Sequence, residues 1–204
     1  ILIISIISAD VVTKLFLDIN QINYINNTKT SNEELEELSL TNDYIATSNS
    51  YNIEKLYLSV ASLIIQISIV LFFLFFNGIE ILRIFVLNLN IQSIDNEILM
   101  VVSFMIILTF IKLPLAFYKT FKIEEKYGFN RSSIGLFFKD TFLSILISIL
   151  ITIILFKSFV FLYYNYKESW WYLMWAVFMI FNFIILYIYP TLISPIFNKF
   201  KKIT

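Results

Sequence analysis

The sequence predicts an all-α fold, a polytopic membrane helical bundle. Hydrophobic residues make up 59% of the chain and charged residues only 15%, and the mean hydropathy is +0.81. Ordinary soluble domains contain about 45–50% apolar and about 25% charged residues. Four apolar runs are also long enough to cross a bilayer, which takes about 20 residues. We therefore predict four complete transmembrane helices, the remnant of a truncated first one (five in the intact domain), and amphipathic helices at the membrane surface.

The composition also argues against several classes of function. Lysines and arginines number 15, as do aspartates and glutamates, so there is no net charge to attract a nucleic acid. The chain has no cysteine and no histidine. Zinc sites normally use at least one of these residue types, and catalytic triads use histidine as the base. The 204 residues therefore contain no familiar hydrolytic centre.

The N-terminal part is expected to be helical but only partly membrane-embedded. Residues 1–8 are apolar but too short to span a bilayer, and the chain lacks an initiator methionine, so we interpret them as the remnant of a transmembrane helix in a fragment. Residues 9–55 are predicted to be a cytoplasmic helical segment. Within it, Ser31 and Glu34 have the spacing of a capping box. Apolar residues at helical spacing predict an amphipathic face made of Val12, Leu15, Phe16, Ile19 and Ile22.

Four apolar runs are predicted to be the complete transmembrane helices. Gln66 and Asn182 lie inside two of them, where polar side chains commonly hydrogen bond to a neighbouring helix. Lys112 lies one turn from the end of its run, so its side chain is expected to snorkel to the interface. Pro190 and Pro195 are expected to break or kink the last helix at its exit. The four runs are residues 56–76, 98–117, 141–164 and 170–189.

The basic residues predict the orientation in the membrane. If Lys112 at the edge of the second span is counted with the connection, 12 of the 15 lysines and arginines lie before the first complete span, between the second and third, or after the fourth. By the positive-inside rule, the connection 118–140 and the C-terminal tail 190–204 are therefore predicted to be cytoplasmic. Heavy use of Ile, Asn, Phe, Tyr and Lys fits an AT-rich coding sequence, so we expect a microbial owner and a bacterial inner membrane.

Two stretches carry motifs that go beyond generic membrane helices. Both resemble the N-terminal membrane region of type 1 CAAX prenyl proteases, as does the paired-aromatic start at Trp170-Trp171. Ser133 departs mildly from the pattern, which usually has threonine there, and Lys201-Lys202-Ile203 replaces an expected Pro-Leu-like continuation. The motifs are Leu113-Pro114, Tyr118-Lys119-Thr120-Phe121, Ile123-Glu124-Glu125-Lys126-Tyr127-Gly128-Phe129-Asn130, Phe138 and Asp140 in the first stretch, and Tyr189-Pro190, Ile193 and Pro195-Ile196-Phe197-Asn198-Lys199-Phe200 in the second.

The resemblance implies a membrane-embedded zinc endopeptidase. In that family the helices enclose an intramembrane chamber, and an HExxH zinc site with a further glutamate closes its cytoplasmic end. All the zinc ligands and catalytic residues would then lie beyond Thr204, so this chain would supply no catalytic or metal-binding residue and would form the chamber wall. The implied partners are the lipid bilayer, the chain's own C-terminal catalytic domain, and a protein or peptide substrate.

Six residues are candidate contacts for the catalytic domain or the substrate. The charged candidates in the connection alternate in sign along the chain with its lysines, so they also fit a solvated helix face with modest salt bridges. In the same connection Gly128 is expected to end a helix in the left-handed conformation, and Asn130 or Ser132 to cap the next one. The six candidates are Glu124, Glu125, Asn130, Arg131, Asn182 and Asn198.

The alternative is a non-catalytic membrane protein, such as a small transporter or an assembly scaffold. Such a protein would need functional polar residues that face one another within the membrane. The sequence offers few of them, namely Gln66, Asn182 and Lys112.

Overall fold

The computed structural model describes residues 2–27, 41–91 and 95–197. Within these ranges the chain is helical and contains no strand, so the predicted all-α fold is confirmed. The predicted capping box at Ser31 and Glu34 lies outside the described residues, as do Asn198 and the rest of the tail. The α-helices are α1 (Leu2–Asn27), α2 (Asn42–Phe75), α3 (Gly78–Asn88), α4 (Asn96–Tyr118), α5 (Ile134–Asn165), α6 (Trp170–Ile188) and the short α7 (Ser194–Phe197).

The four predicted transmembrane helices are confirmed, and each of the corresponding helical stretches, with its π-helical turn included, has more residues than the predicted run. By length and composition, four helical stretches in the described part of the chain can cross a membrane. The first begins well before the apolar run at residue 56, and the third begins before residue 141. Both therefore carry helical structure beyond their apolar cores. The four stretches are Asn42–Phe75, Asn96–Glu124, Ile134–Asn165 and Trp170–Thr191.

Helix α1 is continuous, so the structure shows no break between the apolar start of the chain and the amphipathic segment. It packs on α2, but the predicted face is only partly correct: Leu15 and Ile22 lie on the less exposed side, whereas Val12, Phe16 and Ile19 are exposed. The two faces have the same helical spacing, and periodicity alone could not distinguish them. One polar residue on the packed face is fixed by α2, because the Ser59 hydroxyl donates to Asp18 at 2.7 Å. The less exposed face consists of Val11, Leu15, Asp18, Ile22 and Ile25.

A tight turn joins α2 to α3. Asn77 adopts φ +54, a left-handed conformation that asparagine tolerates better than most residues. Gly78 is buried, and a Cβ atom added to it would lie 2.8 Å from the Cα atom of Phe73. Only glycine therefore fits without a shift in the backbone. Helix α3 carries the exposed ion pair of Arg83 with Glu80, at 2.7 Å.

Two π-helical turns continue transmembrane helices towards the motif-bearing stretches. The first, Lys119–Glu124, follows α4 and lies one turn beyond Pro114. The second, Tyr189–Ile193, follows α6 and contains Pro190. The helix therefore does not break at Pro190, since it changes its hydrogen-bond pattern there and continues, and the predicted alternative of a kink stays a prediction. A π-helical turn absorbs the missing proline donor because it shifts the register of the backbone hydrogen bonds.

The described residues pack as two compact units. One contains residues 1–85 and 107–132, and its most buried side chain is Ile123, at 2% exposure. The other contains residues 86–106 and 133–204, with Val86 and Ile98 its most buried side chains. In the second unit α5 packs against α6, and Trp170 contacts the rings of Phe159 and Tyr163 at centroid distances of 5.6 and 5.7 Å.

Candidate interaction site in the central connection

The central connection, residues 118–140, begins as a continuation of α4. The π-helical turn Lys119–Glu124 is followed by Glu125 and Lys126, which are still helical. Ile123 points into the packed interior of its unit. The turn also brings Lys119 and Glu124 together at 3.7 Å, five residues apart, which is the repeat of a π-helix. The charges in this segment therefore follow a different spacing from the α-helical pairs that the sequence predicts.

Gly128 ends this helical stretch as predicted. Its φ is +77, in the left-handed region that glycine enters without steric cost. Two hydrogen bonds form a Schellman motif around it: the Gly128 N–H donates to the Glu125 carbonyl at 3.1 Å, and the Phe129 N–H donates to the Glu124 carbonyl at 2.7 Å. The prediction of a left-handed helix stop at this residue is confirmed.

The predicted cap of the next helix is wrong by one to three residues. Ser133, not Asn130 or Ser132, is the N-cap of α5, and its hydroxyl accepts a hydrogen bond from the Leu136 N–H at 3.2 Å. Asn130 instead forms a local turn, with its Oδ1 accepting from the Ser132 N–H at 2.8 Å. Both residue types suit a cap, so only the backbone could decide between them. The side-chain hydroxyl, which serine shares with threonine, is the group that caps the helix at Ser133.

An aromatic and ionic cluster fixes the connection to α2. We define it as Tyr51, Glu54, Lys126, Tyr127 and Phe129. One oxygen of Glu54 accepts hydrogen bonds from the Lys126 ammonium and from the Tyr127 hydroxyl, the latter at 3.1 Å. The ring of Tyr51 lies 5.2 Å from that of Tyr127, edge to face, and 4.9 Å from that of Phe129. The cluster joins residues more than seventy positions apart in the chain.

The aromatic contacts stabilise the cluster more than its ion pair does. The hydrogen bond to Glu54 is the main cause that raises the pKa of Lys126 above its usual value. However, the Lys126 side chain is 60% exposed, so solvent screens the ion pair and its contribution to stability is small. Each aromatic pair adds about 0.5–1.5 kcal/mol beyond its buried area. The ion pair therefore mainly sets the orientation of the connection on α2.

Four of the six predicted contact residues lie in this connection, and the structure gives them different roles. Glu124 is half-buried, faces Lys119, and supplies the carbonyl of the helix stop. Asn130 is used by its local turn. The side chains of Glu125 and Arg131 are exposed, and within the described ranges they make no ion pair or hydrogen bond. The last two are therefore the ones available to another surface.

The polar residues predicted inside the membrane helices are not part of this site. Asn182 lies on α6, where its amide donates to the Phe178 carbonyl of its own helix at 2.7 Å. Gln66 is exposed and has no hydrogen-bond partner among the residues that the structure describes. The predicted interhelical hydrogen bonds are therefore not formed. Asn198 lies outside the described residues.

Asp140 is a residue of the first motif to which the sequence assigned no role. One oxygen of its carboxylate is buried and has no hydrogen-bond partner in the described part of the chain. A buried polar atom without a partner is costly, so such an atom usually has one in the complete molecule. Its place in the motif could have identified Asp140 as a candidate residue, whereas the charge pattern alone did not.

The described residues do not fit a zinc ion. The sequence has no histidine or cysteine, and the described ranges hold no group of three or more acidic side chains that could bind a metal ion. Of the acids of the connection, Glu124 faces Lys119, Glu125 is exposed, and Asp140 lies apart from both at the far end of the connection. No catalytic step can be derived from these residues.

These observations define a polytopic α-helical membrane protein with a structured connection between its second and third membrane-spanning helices. A family model described as the CAAX prenyl protease N-terminal region with five membrane helices matches residues 21–199. The chain therefore belongs to the CAAX prenyl protease N-terminal family.

Individual relatives agree with this assignment. A CAAX prenyl protease 1 homolog of Oryza sativa subsp. japonica is 34% identical over 113 residues, covering 53% of this chain and 27% of the relative. A homolog of Taenia solium is 33% identical over 92 residues, covering 45% of this chain and 20% of the relative. The crystal structure of S. mikatae Ste24p matches with a TM-score of 0.90 at 22% identity, over 100% of this chain and 49% of that one. The chain thus spans about a quarter or less of these curated relatives and about half of the solved structure.

Proposed function

We propose that this chain forms the membrane-embedded chamber wall of a zinc metalloendopeptidase that cleaves membrane-associated or prenylated proteins. The observation that carries the proposal is the family match over residues 21–199, which includes both motif-bearing stretches almost completely. The curated relatives are named CAAX prenyl proteases. Since the described residues offer no zinc ligands, the proposal assigns the metal and the catalytic residues to a part of the protein outside this chain.

The central connection is, in this proposal, the surface that meets the catalytic part. The cluster with Tyr51 and Glu54 holds the connection on α2, so its outer side chains have a defined position. Glu125 and Arg131 are exposed on it without a partner in the described ranges. Charged groups that are fixed but unpaired suit electrostatic recognition of a second domain. The unpaired oxygen of Asp140 supports a further contact of the same kind.

We also propose that the connection lies on the cytoplasmic side. The support is the distribution of basic residues, 12 of 15 on one side of the predicted spans. The expectation of a bacterial inner membrane rests on residue usage alone, and the curated relatives are eukaryotic proteins, so our proposal covers the orientation and not the type of membrane.

The proposed activity can be tested on the full-length protein. Purified protein should cleave a farnesylated peptide that ends in a CAAX sequence, a zinc chelator should abolish cleavage, and added zinc should restore it. The same peptide without the prenyl group serves as the control for substrate class. No cleavage of either peptide by the zinc-loaded protein, or a reading frame without an HExxH motif after residue 204, would refute the enzymatic assignment.

Reversal of the charge at Glu125 should impair this proteolysis. If Glu125 contacts the catalytic part, Glu125→Lys replaces an attraction with a repulsion and should lower kcat/KM by about tenfold, as expected for one interfacial charge pair. The matched control is Glu168→Lys, the same change at another exposed glutamate, in the turn before α6. Equal turnover of Glu125→Lys and wild type would show that Glu125 is only a solvated surface residue.

The observations do not favour the non-catalytic alternative. A transporter would need polar side chains that face one another in the membrane. Asn182 hydrogen bonds to its own helix, and Gln66 has no side-chain partner within the described residues.

A further inference from the structure

A basic cavity lies between α2 and the end of α4, and the proposed function does not use it. Its volume is about 390 Å³. Helix α2 contributes one wall, and α4 with the first residue of its π-helical turn contributes the other. The polar groups in its lining are three ammonium groups and two hydroxyls, with no carboxylate among them: Lys55, Lys112, Lys119, Ser59 and Ser62.

Two of these donors are already used by neighbouring acids. The Ser59 hydroxyl donates to Asp18 of α1 at 2.7 Å, and Lys119 lies 3.7 Å from Glu124. The cavity therefore has three lysines and two neighbouring carboxylates, which leaves an excess of one positive charge. Lys55 also lies 4.8 Å from the centre of the Tyr51 ring, an attraction that leaves its charge uncompensated.

The remaining donors are unused in the structure. Lys112 and the hydroxyl of Ser62 make no ion pair or hydrogen bond within the described residues, although both line the cavity. A lysine near the end of an apolar run directs its ammonium group to the interface, and there an unpaired lysine suits an anion. Simple snorkelling accounts for the exposure of Lys112, but not for its position in one cavity with two further lysines and a serine.

The cavity also lies at the depth of lipid headgroups. Lys55 directly precedes the apolar run of α2, and Ser62 lies within the first two turns of that run. Lys112 lies near the end of the apolar part of α4, and Lys119 follows in the π-helical turn beyond it. The apolar side chains of Leu58 and Leu115 complete the lining. Basic pockets of this kind between transmembrane helices bind anionic headgroups, with the acyl chains along the apolar surface.

We propose that this cavity is a binding site for the phosphate group of an anionic phospholipid. Lys112 and Lys55 compensate its charge, and the Ser62 hydroxyl donates a hydrogen bond to a phosphate oxygen. A soluble phosphate has the same chemistry, and the experiment includes it as a separate arm. Apart from Lys119, the residues that line the cavity lie outside the connection assigned above to the catalytic part, so lipid binding can be measured separately from proteolysis.

Lipid retention by the detergent-purified full-length protein tests the site. Native mass spectrometry should show phosphatidylglycerol bound more tightly than the zwitterionic phosphatidylcholine. Lys112→Gln should weaken phosphatidylglycerol binding by about fivefold, the effect of one basic charge near a membrane surface. Lys112→Arg should retain it, and Ser62→Ala, which conserves the charge, should weaken it to a smaller extent.

The matched control is Lys122→Gln, the same change at an exposed lysine that does not line the cavity and lies in the π-helical turn after α4. It should bind phosphatidylglycerol as the wild type does. Competition by inorganic phosphate at similar concentrations, lost in Lys112→Gln, would support the anion site and assign it to a soluble phosphate. Equal retention of both lipids, or equal losses in Lys112→Gln and Lys122→Gln, would overturn the proposal.

Discussion

Replacing Gly128 by valine is expected to destabilise the central connection by about 1–3 kcal/mol, the cost of holding an L residue in a rarely populated backbone conformation. The φ of +77 is required by the two Schellman hydrogen bonds, and a β-branched side chain resists this conformation most. The loss is purely conformational, since a Cβ atom at this position would have no neighbour within 4 Å.

Hydrogen–deuterium exchange detects this effect locally. The amides of Phe129 and Asn130, which donate to the Glu124 carbonyl, should lose protection in Gly128→Val. The control is Gly135→Val, the same change in the first turn of α5, where the added side chain also meets open space and φ is not positive. Gly128→Asn should be milder, because asparagine tolerates the left-handed region. Unchanged protection in Gly128→Val would contradict the assignment of the helix stop.

Truncation of Ile123 to alanine is expected to have the largest effect on stability, about 2–5 kcal/mol, as for other fully buried isoleucines. Ile123 is 2% exposed and lies in the π-helical turn that leads to the cluster. The cavity left by the lost methyl groups would loosen the turn itself, so Lys126 and Tyr127 would no longer be held against Glu54.

Thermal unfolding of the purified protein, together with amide exchange of residues 119–130, measures this loss. Ile134→Ala is the matched control, since Ile134 is 55% exposed at the start of α5 and should change stability by less than about 0.5 kcal/mol. If both variants unfold at the same temperature, Ile123 does not stabilise the connection in the way that its burial indicates.

Local sequence features predicted the fold well. Apolar runs of membrane length predicted all four long helices, because hydrophobicity alone decides whether a segment enters a bilayer. The stop at Gly128 followed from a property of one residue type. The motif residues predicted the family, which the match over residues 21–199 confirms.

Features that depend on contacts between distant residues were not predictable. The charges of the connection suggested pairs within one helix, yet Lys126 bonds to Glu54 of α2, 72 positions away. Similarly, the face of α1 that packs on α2 includes the half-buried Asp18, which no hydrophobicity pattern would select, because its hydrogen bond comes from Ser59 of the other helix. The residues that form the cavity are likewise separated in sequence and were not recognised as a group.

The π-helical turn at Lys119–Glu124 affects which residues of homologous sequences occupy equivalent positions on this helix. Such a turn amounts to one extra residue in an α-helix, and each residue of an α-helix advances the side chains by about 100°. A helical wheel drawn continuously from α4 to Lys126 would therefore assign Lys126 and Tyr127 to the wrong side of the helix. Homologous sequences that lack the extra residue would place different side chains against α2, even where the letters align.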